Sequence, residues 1–171
     1  MSQGITTREV AILLTGGAAF HFLSSSLLGV GFYLDLMLAL TVYVANYSDP
    51  ARAALLGCVF GLVQDVSGLH PLWGLNGFSK TLIGCSSYYL IRYLVVESSA
   101  GRAALLFFLS LLDGVIIYAF LLLLTTTPAL THGVIAQVLL KALLTASSGA
   151  ALFWLLDRRR FPAKDYRHLG A

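Results

Sequence analysis

Six long apolar segments, separated by short breaks, constrain this chain more than any other feature of its sequence. A helix needs about 20 apolar residues to cross a bilayer, and a chain in lipid must satisfy its own backbone hydrogen bonds. The pattern therefore predicts an all-α integral membrane protein with six transmembrane helices in a compact bundle, followed by a basic cytoplasmic tail. The predicted helices are 10–29, 32–47, 51–68, 74–96, 103–126 and 133–156, and the tail is 157–171.

Composition supports a single multispan membrane domain over residues 1–171. The chain is 58% hydrophobic and only 11% charged, whereas soluble domains average about 25% charged residues. The first segment carries Glu9 and His21 and has no small-x-small cleavage pattern, so we interpret it as a retained helix and not as a removable signal peptide.

The basic residues predict the orientation of the helices. The second segment is short, so a five-helix arrangement competes with the six-helix one. Cytoplasmic loops of membrane proteins are enriched in lysine and arginine, and five helices would place Arg8 and the basic tail on opposite faces. Six helices with both termini in the cytoplasm leave the external connections without basic residues. The cytoplasmic set is then Arg8, Arg52, Arg92, Arg102, Arg158, Arg159, Arg160, Lys164 and Arg167.

Four charged residues fall within the predicted spans: Asp65, Lys80, Asp113 and Lys141. A charge at mid-bilayer costs about 2.5–3.5 kcal/mol, so such side chains turn toward protein and find partners. Depth along the helices, at about 1.5 Å per residue, favours the pairs Asp65–Lys80 and Asp113–Lys141, with the cross-pairing left open. Asp35 lies near an external end. The pairs either fix the helix register or line a functional site.

Other polar and small residues suggest packing and binding surfaces. Helical spacing places polar side chains on predicted inward faces, namely Gln64, Asn76 and Gln137. Glycines on or beside those faces are candidates for close helix packing or for a partner interface, namely Gly57, Gly61, Gly68 and Gly74. The arginines after the last span are candidates for contact with lipid headgroups or a cytoplasmic partner, or simply anchor the topology, namely Arg158, Arg159 and Arg160.

The sequence offers no catalytic, metal or cofactor motif. His21, His70 and His132 lie in three different segments, without the spacing that places two ligands on one helix face. Cys58 and Cys85 have no partner spacing, and no nucleophile or phosphate-binding motif is present. We therefore expect no catalytic residues, no metal, no cofactor and no nucleic-acid binding.

An ordered block of short motifs resembles the family of the rod shape-determining protein MreD. It comprises "DLMLALTVY" at 35–43, a basic loop with Arg52, "GCVFGLVQD" at 57–65, and "GLHPLWGLN" at 68–76 leading into the fourth helix. The similarity covers about 35–92. The family often has proline where Leu34 stands, and Trp73 is an insertion in the turn.

This resemblance implies a non-enzymatic subunit of the bacterial cell-elongation complex in the inner membrane. Its implied partner is MreC, and it would help to connect MreB filaments with RodA and a penicillin-binding transpeptidase in lateral peptidoglycan synthesis. The implied fold is similar to the substrate-binding subunits of energy-coupling-factor vitamin transporters. Two alternatives remain open from the residues: a substrate-binding transporter subunit, and an intramembrane enzyme using Asp65 or Asp113 as a base. A homo-oligomer is also possible.

Overall fold

The computed structural model describes residues 5–28, 34–66, 73–94, 99–124 and 132–160. These residues form six helices and no strand. The helices are α1 (Thr7–Leu28), α2 (Leu36–Asn46), α3 (Pro50–Asp65), α4 (Leu75–Tyr93), α5 (Ser99–Leu124) and α6 (His132–Arg160).

The six helices follow the predicted order, but several bounds differ. The second helix begins at Leu36 and not at 32, because Asp35 caps it there. The last two are longer than predicted at one end, since α5 begins at Ser99 and α6 continues to Arg160. Among the described residues, two helical segments are long and apolar enough to cross a membrane, Gly101–Leu124 and Gly133–Arg158.

Local hydrogen bonds explain where the first three helices begin. Thr6 and Glu9 form a reciprocal capping box: the Thr6 N–H donates to Glu9 Oε2 at 2.7 Å, and the Glu9 N–H donates to Thr6 Oγ1 at 3.3 Å. Asp35 accepts from the Leu38 N–H at 2.9 Å. Asp49 accepts from the Arg52 N–H at 2.8 Å, ahead of a proline in the first turn of α3. Each cap satisfies backbone donors that have no partner within the helix.

The short helix α2 forms the centre of the bundle. Every residue from Met37 to Ala45 is buried, and α2 packs against each of the other five helices. A helix that is apolar on all sides belongs in an interior. The position of α2 therefore determines how the surrounding helices are arranged.

Helices α3 and α4 approach so closely that their backbones touch. A Cβ atom added at Gly57, Gly61 or Gly84 would lie within 3.0 Å of a backbone carbonyl oxygen on the facing helix. Such an approach is possible only where the side chain is absent. The stripe of glycines therefore lies between two helices of the same chain.

The two ends of the bundle differ in charge. At one end, which we call the Asp35 end, Asp35 begins α2 and the last residue of α3 contacts the first turn of α4. At the opposite Asp157 end, the Ile5 N–H donates to the Tyr47 carbonyl oxygen at 3.3 Å, and the Tyr47 hydroxyl reaches Asp157. The helix directions place these arginines at this second end: Arg8, Arg52, Arg92, Arg102 and Arg158.

Candidate functional site

Four buried charged side chains from α2, α4, α5 and α6 form a closed ring of alternating sign. Lys80 Nζ lies 3.0 Å from Asp35 Oδ2 and 3.9 Å from Asp113 Oδ1. Lys141 Nζ lies 3.2 Å from Asp35 Oδ2 and 3.1 Å from Asp113 Oδ2. We call this cluster the ionic ring. Each cation contacts both anions, so the formal charges cancel within the cluster.

Asp35 connects the ionic ring to the start of α2 and to α6. One carboxylate oxygen, Oδ1, accepts from the Leu38 N–H and so caps α2, while the other, Oδ2, faces both lysines. The Asp35 N–H donates to Thr145 Oγ1 on α6 at 3.1 Å. A single residue thereby caps one helix and binds two others, α4 and α6.

Asp113 joins α5 to α4 and α6 in a similar way. Ser79 Oγ donates to Asp113 Oδ1 at 2.6 Å, and Lys141 Nζ donates to Asp113 Oδ2 at 3.1 Å. Both oxygens of the carboxylate are therefore occupied. Lone buried charges are costly, but hydrogen-bonded pairs of opposite sign offset much of that cost.

Burial within the ring is uneven. The side chains of Lys80 and Asp113 are fully buried and that of Asp35 is 1% exposed, whereas 16% of the Lys141 side chain is exposed. Lys141 therefore forms the outer edge of the ring. Access from outside the bundle is on the α6 side.

The structure contains the predicted Asp113–Lys141 pair but corrects the predicted Asp65–Lys80 pair. Asp65 instead accepts hydrogen bonds from the start of α4: the Asn76 N–H at 3.3 Å, Asn76 Nδ2 at 2.9 Å and the Gly77 N–H at 3.2 Å. Free N–H groups and the helix dipole make a helix start favourable for a carboxylate. Lys80 lies about 7.5 Å deeper along α4, one turn and a half from the start, and meets Asp35.

Asp35 is the ring member that sequence reasoning missed. Its depth near the predicted external end argued against a partner in the interior. The signal that could have found it is the spacing from Asp35 to the apolar residues after it, which is typical of an N-cap preceding a buried helix. Because α2 is central, its start lies inside the bundle.

The other predicted polar residues separate into buried and exposed positions. Asn76 is fully buried beside Asp65, and Gln64 is buried in the last turn of α3. Gln137 is exposed on α6, so the prediction that it faces a polar interior is wrong. It lies one turn before Lys141, in the first part of α6, where most residues from 133 to 140 are exposed.

The predicted glycine surface has three different outcomes. Gly57 and Gly61 contact the backbone of α4, so these residues are not available to a partner. Gly74 has a left-handed backbone with φ of 88° and begins α4 in a turn, with nothing near its Cα where a Cβ would point. Gly68 lies outside the described residues.

A second polar cluster, which the sequence did not single out, lies at the Asp157 end. The Arg102 guanidinium at the start of α5 pairs with the Asp157 carboxylate at the end of α6. Tyr47 Oη, just beyond α2, donates to the same carboxylate at 2.9 Å. Nearby, the Arg158 guanidinium lies over the Trp154 ring at 5.5 Å from its centroid, while the side chains of Arg159 and Arg160 lie outside the described part.

The ionic ring is separate from the apolar cavity between α1 and α6. A cavity of about 430 Å³ between α1 and α6 has an almost entirely apolar lining that includes Gly16, Gly17, Leu40 and Leu152, but no ring residue. Among the described residues, no group of three or more histidine, cysteine or acidic side chains could hold a metal ion. Its ion pairs connect the start of α2 with α4, α5 and α6.

Comparison with known proteins provides no assignment for this arrangement. No protein-family model, curated protein or solved structure matches the chain. The geometry of the ring and the charge pattern of the sequence remain as the basis for a functional proposal.

Proposed function

We propose that the chain is a multispan protein of the bacterial inner membrane and a non-enzymatic scaffold subunit of the cell-elongation complex, with MreC as its direct partner. In this role it helps to maintain rod shape and lateral peptidoglycan synthesis, together with MreB, RodA and a penicillin-binding transpeptidase. Both termini lie in the cytoplasm, and the Asp35 end faces outward. The resemblance of 35–92 to the MreD family supports the choice of complex.

The observation that carries the membrane part of this proposal is the inverted distribution of polarity. Lys80 and Asp113 are fully buried, whereas Trp73 is 77% and Leu123 is 79% exposed. In water, large exposed apolar patches are rare and mark interaction surfaces. In a bilayer the same surface contacts lipid, and charged residues turn toward one another inside the protein.

The scaffold part of the proposal is supported by what the polar residues do. Asp113 Oδ1 accepts from the Ser79 hydroxyl and lies near Lys80, and Asp113 Oδ2 contacts Lys141. Asp65, the other base considered for an intramembrane enzyme, caps α4. These groups stabilise the bundle and leave its lipid-facing surface to bind partner helices.

The block of sequence that resembles the MreD family also builds the core of this bundle. Asp35 and Lys80 belong to the ionic ring, Gly57 and Gly61 permit the close α3–α4 contact, and Asp65 caps α4. The shared motifs are thus accounted for as architecture. A surface for MreC is expected elsewhere, on the exposed helix faces.

Affinity purification from membranes tests the proposal. A tagged chain should retain MreC after detergent extraction, and its depletion should convert rod-shaped cells to round ones. Rod-shaped growth and normal MreC localisation after depletion would contradict the proposal. Retention of a vitamin or of coupling ATPases would favour the transporter-subunit alternative.

A further inference from the structure

The ionic ring divides into two pairs that belong to two separate parts of the chain. Asp35 and Lys80 lie on the part formed by α2, α3 and α4, which we call the α2–α4 unit, and they are 3.0 Å apart. Asp113 and Lys141 lie on the α5–α6 hairpin and are 3.1 Å apart. Each part therefore carries one cation and one anion that already contact each other.

The contacts between the two parts complete the ring but do not neutralise it. Lys141 reaches Asp35 at 3.2 Å, and Lys80 approaches Asp113 at 3.9 Å. If the hairpin moved away from the α2–α4 unit, these two contacts would be lost while each charge kept its partner. Separation would therefore leave no unpaired charge in the bilayer, which is the arrangement that costs most.

The same division is found at the Asp157 end. Arg102 and Asp157 both belong to the hairpin and pair with each other. The contact across the boundary comes from the neutral hydroxyl of Tyr47. Apart from the two lysine contacts of the ring, two further hydrogen bonds cross the boundary, and each involves a hydroxyl: Ser79 donates to Asp113, and the Asp35 N–H donates to Thr145. At both levels the hairpin thus contains an acidic side chain that is already paired with a cation of the hairpin itself.

Packing at the boundary also differs from packing within the α2–α4 unit. At the boundary, a Cβ atom on Gly149 of α6 would lie 3.2 Å from the Cβ atom of Ala39 on α2. Within the unit, the corresponding atoms on Gly57 and Gly61 would meet backbone. At Gly149 the boundary neighbour is thus a side-chain atom, whereas the α3–α4 contact is between backbones and cannot open without losing its closest backbone approach.

We propose that the α5–α6 hairpin is a conformationally separable unit, and that the ionic ring is the latch that holds it against the α2–α4 unit. This inference goes beyond partner binding and depends on the bilayer location alone. It predicts that the position of the remaining charges, and not their number, determines how readily the boundary opens.

Double neutralisations test this directly, because each removes one cation and one anion and leaves one pair. Lys80→Met with Asp35→Asn leaves Asp113–Lys141, and Lys141→Met with Asp113→Asn leaves Asp35–Lys80. Both of these variants keep a pair within one part.

The complementary variants keep a pair across the boundary. Lys80→Met with Asp113→Asn leaves Asp35–Lys141, and Lys141→Met with Asp35→Asn leaves Lys80–Asp113. Asparagine can still cap α2 in place of Asp35. Opening would now separate the last two opposite charges, so the boundary should remain closed.

Thiol labelling of the full chain in membranes measures opening. Cys58 and Cys85 are replaced by alanine, and Ala39→Cys places a thiol at the boundary, where the alanine is fully buried. Labelling by a membrane-permeant maleimide should be at least about tenfold faster in the variants that keep a pair within one part than in those that keep a pair across the boundary. The reason is that opening the second kind leaves unpaired charges in the bilayer, which lowers the population of the open state by more than about tenfold. Ala53→Cys, buried between α3 and α4, should label equally slowly in all variants.

The outcomes are distinguishable from a failure of the membrane proposal. Extraction from membranes and a single gel-filtration peak first show that each variant is inserted and folded. If one of the two variants of a kind does not fold, the other variant of that kind is used for the comparison. Equal labelling at the boundary in both kinds of variant would overturn the latch. Faster labelling at Ala53→Cys in the same variants would also overturn it, because the whole bundle would then be loosened.

Discussion

The α3–α4 contact and the ionic ring hold helices together by opposite means. Between α3 and α4, glycines bring the two backbones into contact, and Asp65 caps the facing helix. In the ionic ring, four charged side chains connect the helices through their ion pairs. The first contact depends on the absence of atoms and the second on the balance of charges.

This difference determines what each region tolerates. A steric contact fails when any atom is added, whatever its polarity, because the backbone cannot move aside. An ionic contact fails when one charge is left without a partner, but it survives when charges are removed in neutral pairs. Substitutions that add an atom should therefore destabilise the α3–α4 contact, and substitutions that leave one charge unpaired should destabilise the ionic ring.

The largest effect is expected when one charge of the ring is removed alone. Lys80→Met leaves two anions and one cation in the interior, and we expect a loss of about 3–5 kcal/mol in the free energy of unfolding. Lys80→Met with Asp35→Asn should recover most of this loss, because the remaining pair is neutral. Unfolding in detergent followed by circular dichroism measures both. A double variant no more stable than the single one would show that charge balance is not what holds the ring.

The next effect is expected at the α3–α4 contact. Gly61→Ala adds one methyl group against the backbone of Asn76 and Gly77, and overpacking of this kind costs about 3 kcal/mol. Gly16→Ala should instead be neutral or stabilising by up to about 1 kcal/mol, because its Cβ meets nothing and alanine favours the helix. The same unfolding assay compares them. Equal stabilities would mean that the two backbones can move apart.

A smaller effect is expected at the cap that Asp65 provides. Asp65→Ala removes the acceptor for Asn76 and Gly77 and should cost about 2 kcal/mol, whereas Asp65→Asn should cost less because asparagine also caps helices. Charge reversal sharpens the comparison with the ring. The double variant Asp65→Lys with Lys80→Asp should be no more stable than either single variant. A double variant clearly more stable than both would instead support a direct Asp65–Lys80 pair.

The smallest effect is expected at the Asp157 end. Tyr47→Phe removes the hydroxyl that donates to Asp157, while Arg102 still neutralises the carboxylate. The expected loss is about 1 kcal/mol, the usual net value of one hydrogen bond. Asp157→Asn, which leaves Arg102 without its anion, should lose more. If Tyr47→Phe were the more damaging change, the cluster would depend on the hydroxyl and not on the ion pair.

The sequence by itself determined the number and order of the helices and the concentration of arginine at one end. These features depend on local properties, namely the length of an apolar run, the breaks between runs and the residues beside them. It also indicated the Asp113–Lys141 pair, because both residues fall near the middle of their predicted helices.

Only the tertiary structure decided the partners of Asp35 and Asp65 and the outward position of Gln137. Depth along a helix follows from the rise per residue, but the neighbours of a side chain depend on the rotation of each helix and on which helix is central. Because α2 is enclosed by the other five, Asp35 at its start is interior, and Lys80 meets it there. Asp65, at the end of α3, meets the free N–H groups of α4 instead.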